Sequence, residues 1–281
     1  MHLGDCVQLL QNEVRDDSIH YSIFSPPFAS LYTYSASPYD MGNCRSHADF
    51  FEHFAFLTKE LHRVLMPGRC LSFHCMNLPL SKERDGIIGL VDFRGDLIRA
   101  FTAAGFVYHS EVCIWKDPVT AMQRTKALGL LHKQLKKDSC MSRQGIADYL
   151  VTMRKPGSNP ERVTHNNDTF PVGEWQNYAS PVWMDINPSD TLQRESAREH
   201  DDERHICPLQ LEVISRALRL WTNEGDMVLS PFAGIGSEGY EAVRAKREFL
   251  GIELKESYFR QACANLLNAQ EQSRNLFEVP A

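Results

Sequence analysis

DMVLSPFAGIGSEGYEAV, residues 226–243, is the stretch on which the fold turns. The apolar run Met227, Val228, Leu229 reads as a short buried strand. Gly234, Gly236 and Gly239 follow as G-x-G-x-x-G, and a helix is expected over 236–246. Glycine tolerates positive φ, so such a loop lets backbone come close to a ligand before the helix begins. The next strand, 249–253, closes on Glu253, nineteen positions after Gly234. A carboxylate there can accept hydrogen bonds from ribose hydroxyls. Strand, loop, helix and acid in this order point to an adenosine-type cofactor. A strand-to-helix turn that only packs tightly remains the alternative.

Outward from this unit the same alternation continues. Apolar residues at helical spacing (Phe50, Phe54, Leu57, Leu61, Leu65) predict a helix over 49–65, stopped by Pro67 and Gly68. Strands are expected at 20–24, 69–75, 107–116 and 149–154. Further helices are expected at 92–104, 209–221 and 257–269. Strands alternating with helices imply an α/β, doubly wound, mostly parallel sheet. Between 156 and 204 no periodicity holds. That stretch is rich in Asn, Pro, Asp and Glu, carries Trp175, Tyr178 and Trp183, and reads as an inserted, loop-rich subdomain.

The length of 281 residues suits one large α/β domain or a domain with an insertion, and 43% hydrophobic residues suffice for a sizeable core. No apolar run reaches eighteen residues, and the start MHLGDCVQLL lacks a basic region and a small-residue cleavage site. Neither a membrane span nor a signal peptide is expected. Eight cysteines without Cys-x-x-Cys spacing suggest reduced thiols in a cytoplasmic protein. Cys70, His74 and Cys75 lie close together, but a strand puts them on alternate faces, which favours packing over zinc; no metal is expected.

A net charge of −6 argues against a uniformly basic nucleic-acid binder, but the charge is uneven. Residues 116–155 hold nine Lys or Arg against three acids, and 185–203 hold seven acids against two Arg. Either both are solvated surface, or a basic face for phosphates lies apart from an acidic segment.

YSIFSPPFASL, residues 21–31, raises a separate question. Two prolines fix φ twice and remove two donors, so the strand must stop at a rigid corner flanked by Ser25 and Phe28. Both the corner and the glycine loop follow strands directly. In doubly wound sheets ligands lie beyond the carboxyl ends of strands, so neighbouring strands would bring both to one crevice.

With these residues in view, the chain resembles the S-adenosylmethionine-dependent amino-methyltransferases of DNA. SPPF, Ser25, Pro26, Pro27 and Phe28, is similar to their (Asp/Asn/Ser)-Pro-Pro-(Tyr/Phe) catalytic motif. SPFAGIG at 230–236 is similar to their cofactor loop, although many relatives carry Asp where Ser230 stands. HICPLQLEVISRAL (205–218), LGIELKESYFRQA (250–262), GDC (4–6) and ADYLVTMRKPG (147–157) resemble further family segments. The catalytic motif comes first and the cofactor loop last, the order of the permuted β class. The resemblance implies a seven-stranded Rossmann-like methyltransferase sheet. Its catalytic part would be 1–157 with a basic insertion at 117–147, its target-recognition region 158–204, and its cofactor part 205–281.

The resemblance also implies roles. The Ser25 side chain and the Pro26 carbonyl would hold the exocyclic amine of a flipped base, with Phe28 stacked on it. Pro231, Phe232, Ala233, Gly234, Gly236 and Glu253 would hold S-adenosylmethionine. Asp5 would contact adenine or cap a helix. Cys207 and Leu209 would touch the methionine end or simply pack. Arg124, Lys126, Lys133, Lys136, Lys137 and Arg143 are candidates for phosphates of double-stranded DNA. The target leans to cytosine N4, with adenine N6 as the alternative. A homodimer and a cognate restriction endonuclease stand as open partners. An NAD-dependent oxidoreductase shares the glycine loop but leaves SPPF unexplained. A non-catalytic DNA-binding module leaves both intact motifs unexplained.

Overall fold

The computed structural model describes residues 1–28, 40–44, 46–119, 132–141, 143–192 and 208–275. Ten strands are present among them: β1 His2–Leu3, β2 Ile19–Phe24, β3 Leu65–Met76, β4 Leu78–Leu80, β5 Gly89–Val91, β6 Val107–Ile114, β7 Asp148–Arg154, β8 Val182–Trp183, β9 Met227–Ser230 and β10 Glu248–Glu253. Eight form one sheet in the order β1-β10-β9-β2-β3-β7-β6-β8, and β4 pairs with β5 apart from it. Only β7 runs against its neighbours in the main sheet. The helices of seven or more residues are α1 Cys6–Glu13, α2 His47–Val64, α3 Phe93–Ala103, α4 Val172–Tyr178, α5 Leu211–Trp221, α6 Ser237–Arg244 and α7 Glu256–Asn275.

Alternation along the strands feeds two cores. Leu71, Phe73 and Cys75 of β3, with Val151 and Met153 of β7, pack against α1, α2 and α3. Cys70 and Leu150 point the other way, toward Val213, Ile214, Ala217 and Leu218 of α5. Phe50, Phe54, Leu57 and Leu61 are all buried, as their spacing requires. Ser46 caps α2, its side chain accepting from the Asp49 N–H at 3.1 Å.

Two expectations change. Pro67 and Gly68 do not stop α2; the helix ends at Val64, and both residues lie inside β3. The register of β3 against β2 shifts there, from Ile19 opposite Leu65 to Tyr21 opposite Cys70, and Gly68 takes φ +74. An irregularity of this kind is where a strand can hold Pro and Gly. Among the described residues the sheet has eight strands, adding β1 and β8 to the six that the sequence pattern shows, and β8 comes from the stretch that shows no period. Two residues are too short to register as alternation. Trp183 is nevertheless 1% exposed, packed with Ile186 into the α5 core. Arg216 of α5 holds the same stretch: it donates to Asp185 at 2.7 and 3.0 Å and lies over the Tyr178 and Trp183 rings. Trp183 thus packs this stretch onto the sheet, whereas Trp175 is about half exposed.

Candidate active site

The carboxyl ends of β10, β9, β2 and β3 lie side by side, and the start of antiparallel β7 meets the end of β3, Met76 opposite Asp148. The crevice is therefore lined, in spatial order, by Glu253, the 231–236 loop, Ser25, His74, Asp148 and Lys116. The two motifs meet because β2 and β9 are direct parallel neighbours, with Ser22 opposite Leu229. The Ser22 hydroxyl also donates to the Leu229 carbonyl at 2.9 Å, and the Phe232 ring sits 5.9 Å from Phe24.

Glu253 braces the glycine loop. Its carboxylate accepts from the Gly234 N–H at 2.8 Å and from the Lys255 N–H at 2.9 Å. Burial pushes its carboxyl up to about 7; those backbone donors pull it down, and the charge of Asp40 adds to the rise. Gly234 has φ +52, and a Cβ there would project into open space. The loop thus leaves room for a ligand at Gly234, beside a carboxylate that keeps lone pairs for hydroxyls. Gly236 is different: its φ is +85, and a Cβ would come 2.9 Å from Leu266 Cδ1 and 3.1 Å from Ala262 Cβ. One glycine faces the crevice and the other faces α7. Pro231 and Ala233 are buried under the loop. Glu238, in the first turn of α6, is pushed up to about 8 by burial.

Asp5 caps α1, its carboxylate accepting from the Gln8 N–H at 2.9 Å. It also lines a cleft of about 530 Å3 with Asp40, Met41 and Phe56. The Gly4 N–H donates to the Glu253 carbonyl at 2.9 Å, so this cleft adjoins Glu253. Leu209 is buried in the α5 core. Cys207, Arg124 and Lys126 lie outside the described residues.

At the corner, Pro26 is buried while Ser25, Pro27 and Phe28 are half-buried. Phe28 lies 6.2 Å from Phe93, so the ring is braced by α3 while part of it faces outward. Ser25 Oγ lies 3.2 Å from His74 Nδ1, and His74 Nε2 lies 3.1 Å from Asp148 Oδ2. Lys116 Nζ pairs with the same carboxylate oxygen. Burial alone would raise the Asp148 carboxyl, but His74 and Lys116 beside it outweigh this and hold it below the usual range. Sequence reading assigned none of these three partners to the site. His74 figured there as a strand residue for which packing was favoured over zinc, and it lies 74 positions before Asp148. The one local signal is a charged residue opening the apolar strand β7.

Lys133, Lys136 and Lys137 are exposed and Arg143 is half-buried. They lie on the connection from the end of β6 to the start of β7, at the edge of the sheet that carries Ser25. Among the described residues one group of metal-binding types clusters, His20, Glu161 and Asp226. The Arg69 guanidinium already pairs with Asp226 there.

A glycine loop braced by a half-buried acid stands beside a rigid Ser-Pro-Pro corner, an arrangement that suits an adenosine cofactor and a second, polar substrate. The chain belongs to the DNA methylase family N6_N4_Mtase, whose model matches residues 19–264. It is 22% identical over 275 residues to the Type II methyltransferase M.MjaI of Methanocaldococcus jannaschii, covering 88% of this chain and 84% of that one. Its fold is similar to that of the Thermus thermophilus protein TTHA0409 complexed with S-adenosyl-L-methionine. That match has a TM-score of 0.71 and 21% identity, covering 95% of this chain and 93% of that one. The PvuII DNA methyltransferase, which is cytosine-N4-specific, matches with a TM-score of 0.65 at 15% identity, covering 97% and 91%.

Proposed function

We propose that this chain transfers a methyl group from S-adenosylmethionine to the exocyclic amine of a base flipped from double-stranded DNA, at cytosine N4 in preference to adenine N6. The observation that carries the reading is the adjacency of β2 and β9, which sets the Ser-Pro-Pro corner beside the open, acid-braced glycine loop. When bound, S-adenosylmethionine supplies an already activated methyl group. Glu253 would accept from its ribose hydroxyls, the loop N–H groups and the gap at Gly234 would take its body, and the cleft beside Asp5 would take adenine. A base amine is a poor nucleophile because its lone pair is delocalised into the ring. Ser25 Oγ and the Pro26 carbonyl would hold the amine's hydrogens and draw it toward a tetrahedral form. Two prolines keep that carbonyl in place before substrate arrives. Phe28 would stack on the extruded base.

Lys133, Lys136, Lys137 and Arg143 would contact phosphates, the 158–204 region would read sequence, and a cognate restriction endonuclease would share the site. The seven described cysteines are free thiols, which suits a reducing cytoplasm. No helix among the described residues is long and apolar enough to cross a membrane. The lean to cytosine rests on Ser at the head of the motif. Nucleoside mass spectrometry of DNA incubated with protein and S-adenosylmethionine tests the proposal. N4-methylcytosine is expected, N6-methyladenine alone would move the target, and no methylated nucleoside would overturn the activity.

A further inference from the structure

The geometry points to His74 as the residue that turns Ser25 into an acceptor for the target amine and then takes its proton, with Asp148 and Lys116 holding His74 in place. The inference rests on the methyl-transfer reading above, since the amine is the group that Ser25 meets.

Four strands build the arrangement: Ser25 follows β2, His74 lies near the end of β3, Asp148 opens β7 and Lys116 follows β6. Asp148 is 2% exposed, and its charge is stabilised by His74 and Lys116. A buried ionised carboxylate only accepts hydrogen bonds. The ring nitrogen facing it is Nε2, 3.1 Å away though off the line of a hydrogen bond, and the carboxylate's charge favours the tautomer with hydrogen there. In a neutral imidazole the other nitrogen is then bare. That nitrogen, Nδ1, faces Ser25 Oγ at 3.2 Å, so the serine hydroxyl donates to it. With its one hydrogen spent on His74, Ser25 presents only lone pairs to the crevice. A neutral hydroxyl, free to rotate and to donate, becomes a fixed acceptor, the property a carboxylate has by nature. This accounts for how serine can serve where related motifs carry Asp or Asn.

The same line disposes of a proton. When the amine nitrogen forms its bond to the methyl carbon, it becomes fourfold bonded and positively charged, with one proton in excess. That proton passes to Ser25 Oγ as the hydroxyl proton passes to His74 Nδ1. The methylated amine is then neutral, Ser25 is unchanged, and His74 is an imidazolium beside Asp148, which returns the proton to water after product leaves. Ser25 contacts the substrate; His74 acts through it and is a positioning residue. Among the described residues the charged groups facing the ring are Asp148 from β7 and, through it, Lys116; Ser25 closes the remaining nitrogen.

Two measurements test this. The first is 15N NMR of the histidine-labelled parent protein without cofactor or DNA, with the His74 signals assigned from their loss in His74→Asn. In the neutral ring the hydrogen is expected on Nε2; the Nδ1–H tautomer would overturn the inference. The second is a kinetic cycle of His74→Ala with Ser25→Asp. In the parent, His74→Ala should lower kcat by about 100-fold or more with little change in KM for DNA, the size of a lost acid–base contribution. In the Ser25→Asp background the carboxylate needs no orienting partner, and the same change should cost at least about tenfold less, a coupling expected only of interacting residues. Equal losses in both backgrounds would overturn the inference while leaving methyl transfer standing. A folded parent that methylates no DNA would overturn both.

Discussion

Affinity for S-adenosylmethionine should fall about tenfold between pH 8 and pH 6, and Glu253 is the reason. Its carboxyl is pushed up to about 7 because the site buries it, and the backbone donors at Gly234 and Lys255 only partly compensate. Ribose hydroxyls are donors toward an ionised carboxylate, so binding selects the charged form. Where the competent state is only fractionally present, the apparent dissociation constant rises by the inverse of that fraction. With a value near 7, about nine-tenths of Glu253 is ionised at pH 8 and about one-tenth at pH 6. The ratio is about tenfold, or about 1.4 kcal/mol. The direction follows from the sign of the shift: a raised carboxyl binds a proton in the free protein that the cofactor must displace. Titration calorimetry at pH 6, 7 and 8, in buffers of different ionisation enthalpy, measures this and should show about half a proton released at pH 7. Glu253→Gln should weaken binding by roughly 1–3 kcal/mol, because an amide has one acceptor oxygen where two N–H groups need acceptors, and it should abolish the pH slope. A flat dissociation constant in the folded parent, or a slope that persists in Glu253→Gln, would refute the reasoning.

Gly234→Ala should cost only about 1 kcal/mol of stability, the penalty of a left-handed residue, yet sharply weaken cofactor binding, because its Cβ enters open crevice. Gly236→Ala should instead lower Tm strongly, since its Cβ meets α7; thermal melts with and without cofactor separate the two, and equal behaviour would contradict the assignment. Charge reversal at Lys136 and Lys137 should weaken binding to all DNA sequences and flatten the salt dependence in fluorescence titrations, whereas an unchanged slope would make them solvated surface. Trp183→Ala should cost roughly 3–5 kcal/mol and speed hydrogen exchange in β8 and α4, because the ring is buried between that stretch and α5; an unaltered exchange pattern would mean the stretch is held by Arg216 alone.

Much of this protein is legible in short windows, for a local reason. Glycines at 234 and 236 take positive φ, two prolines fix a corner, and Phe50, Phe54, Leu57 and Leu61 repeat at the helical period; each is a property of a few neighbouring residues. Those windows carry the α/β alternation, the Ser-Pro-Pro corner, the acid of the next strand and the family resemblance. What local properties do not carry is which strands become neighbours and in what register. Strand β8 is two residues long and exists because Trp183 finds the α5 core. Glu253 is legible as an acid at the right distance, but its bracing of Gly234 and its raised carboxyl come from the packing around it. The line from Ser25 through His74 to Asp148 and Lys116 joins residues up to 123 positions apart. It forms only because β7 runs antiparallel, so that its first residue, not its last, arrives at the carboxyl end of β3. Hydrogen bonds between strands set that meeting, and no residue near Asp148 in the sequence contains it.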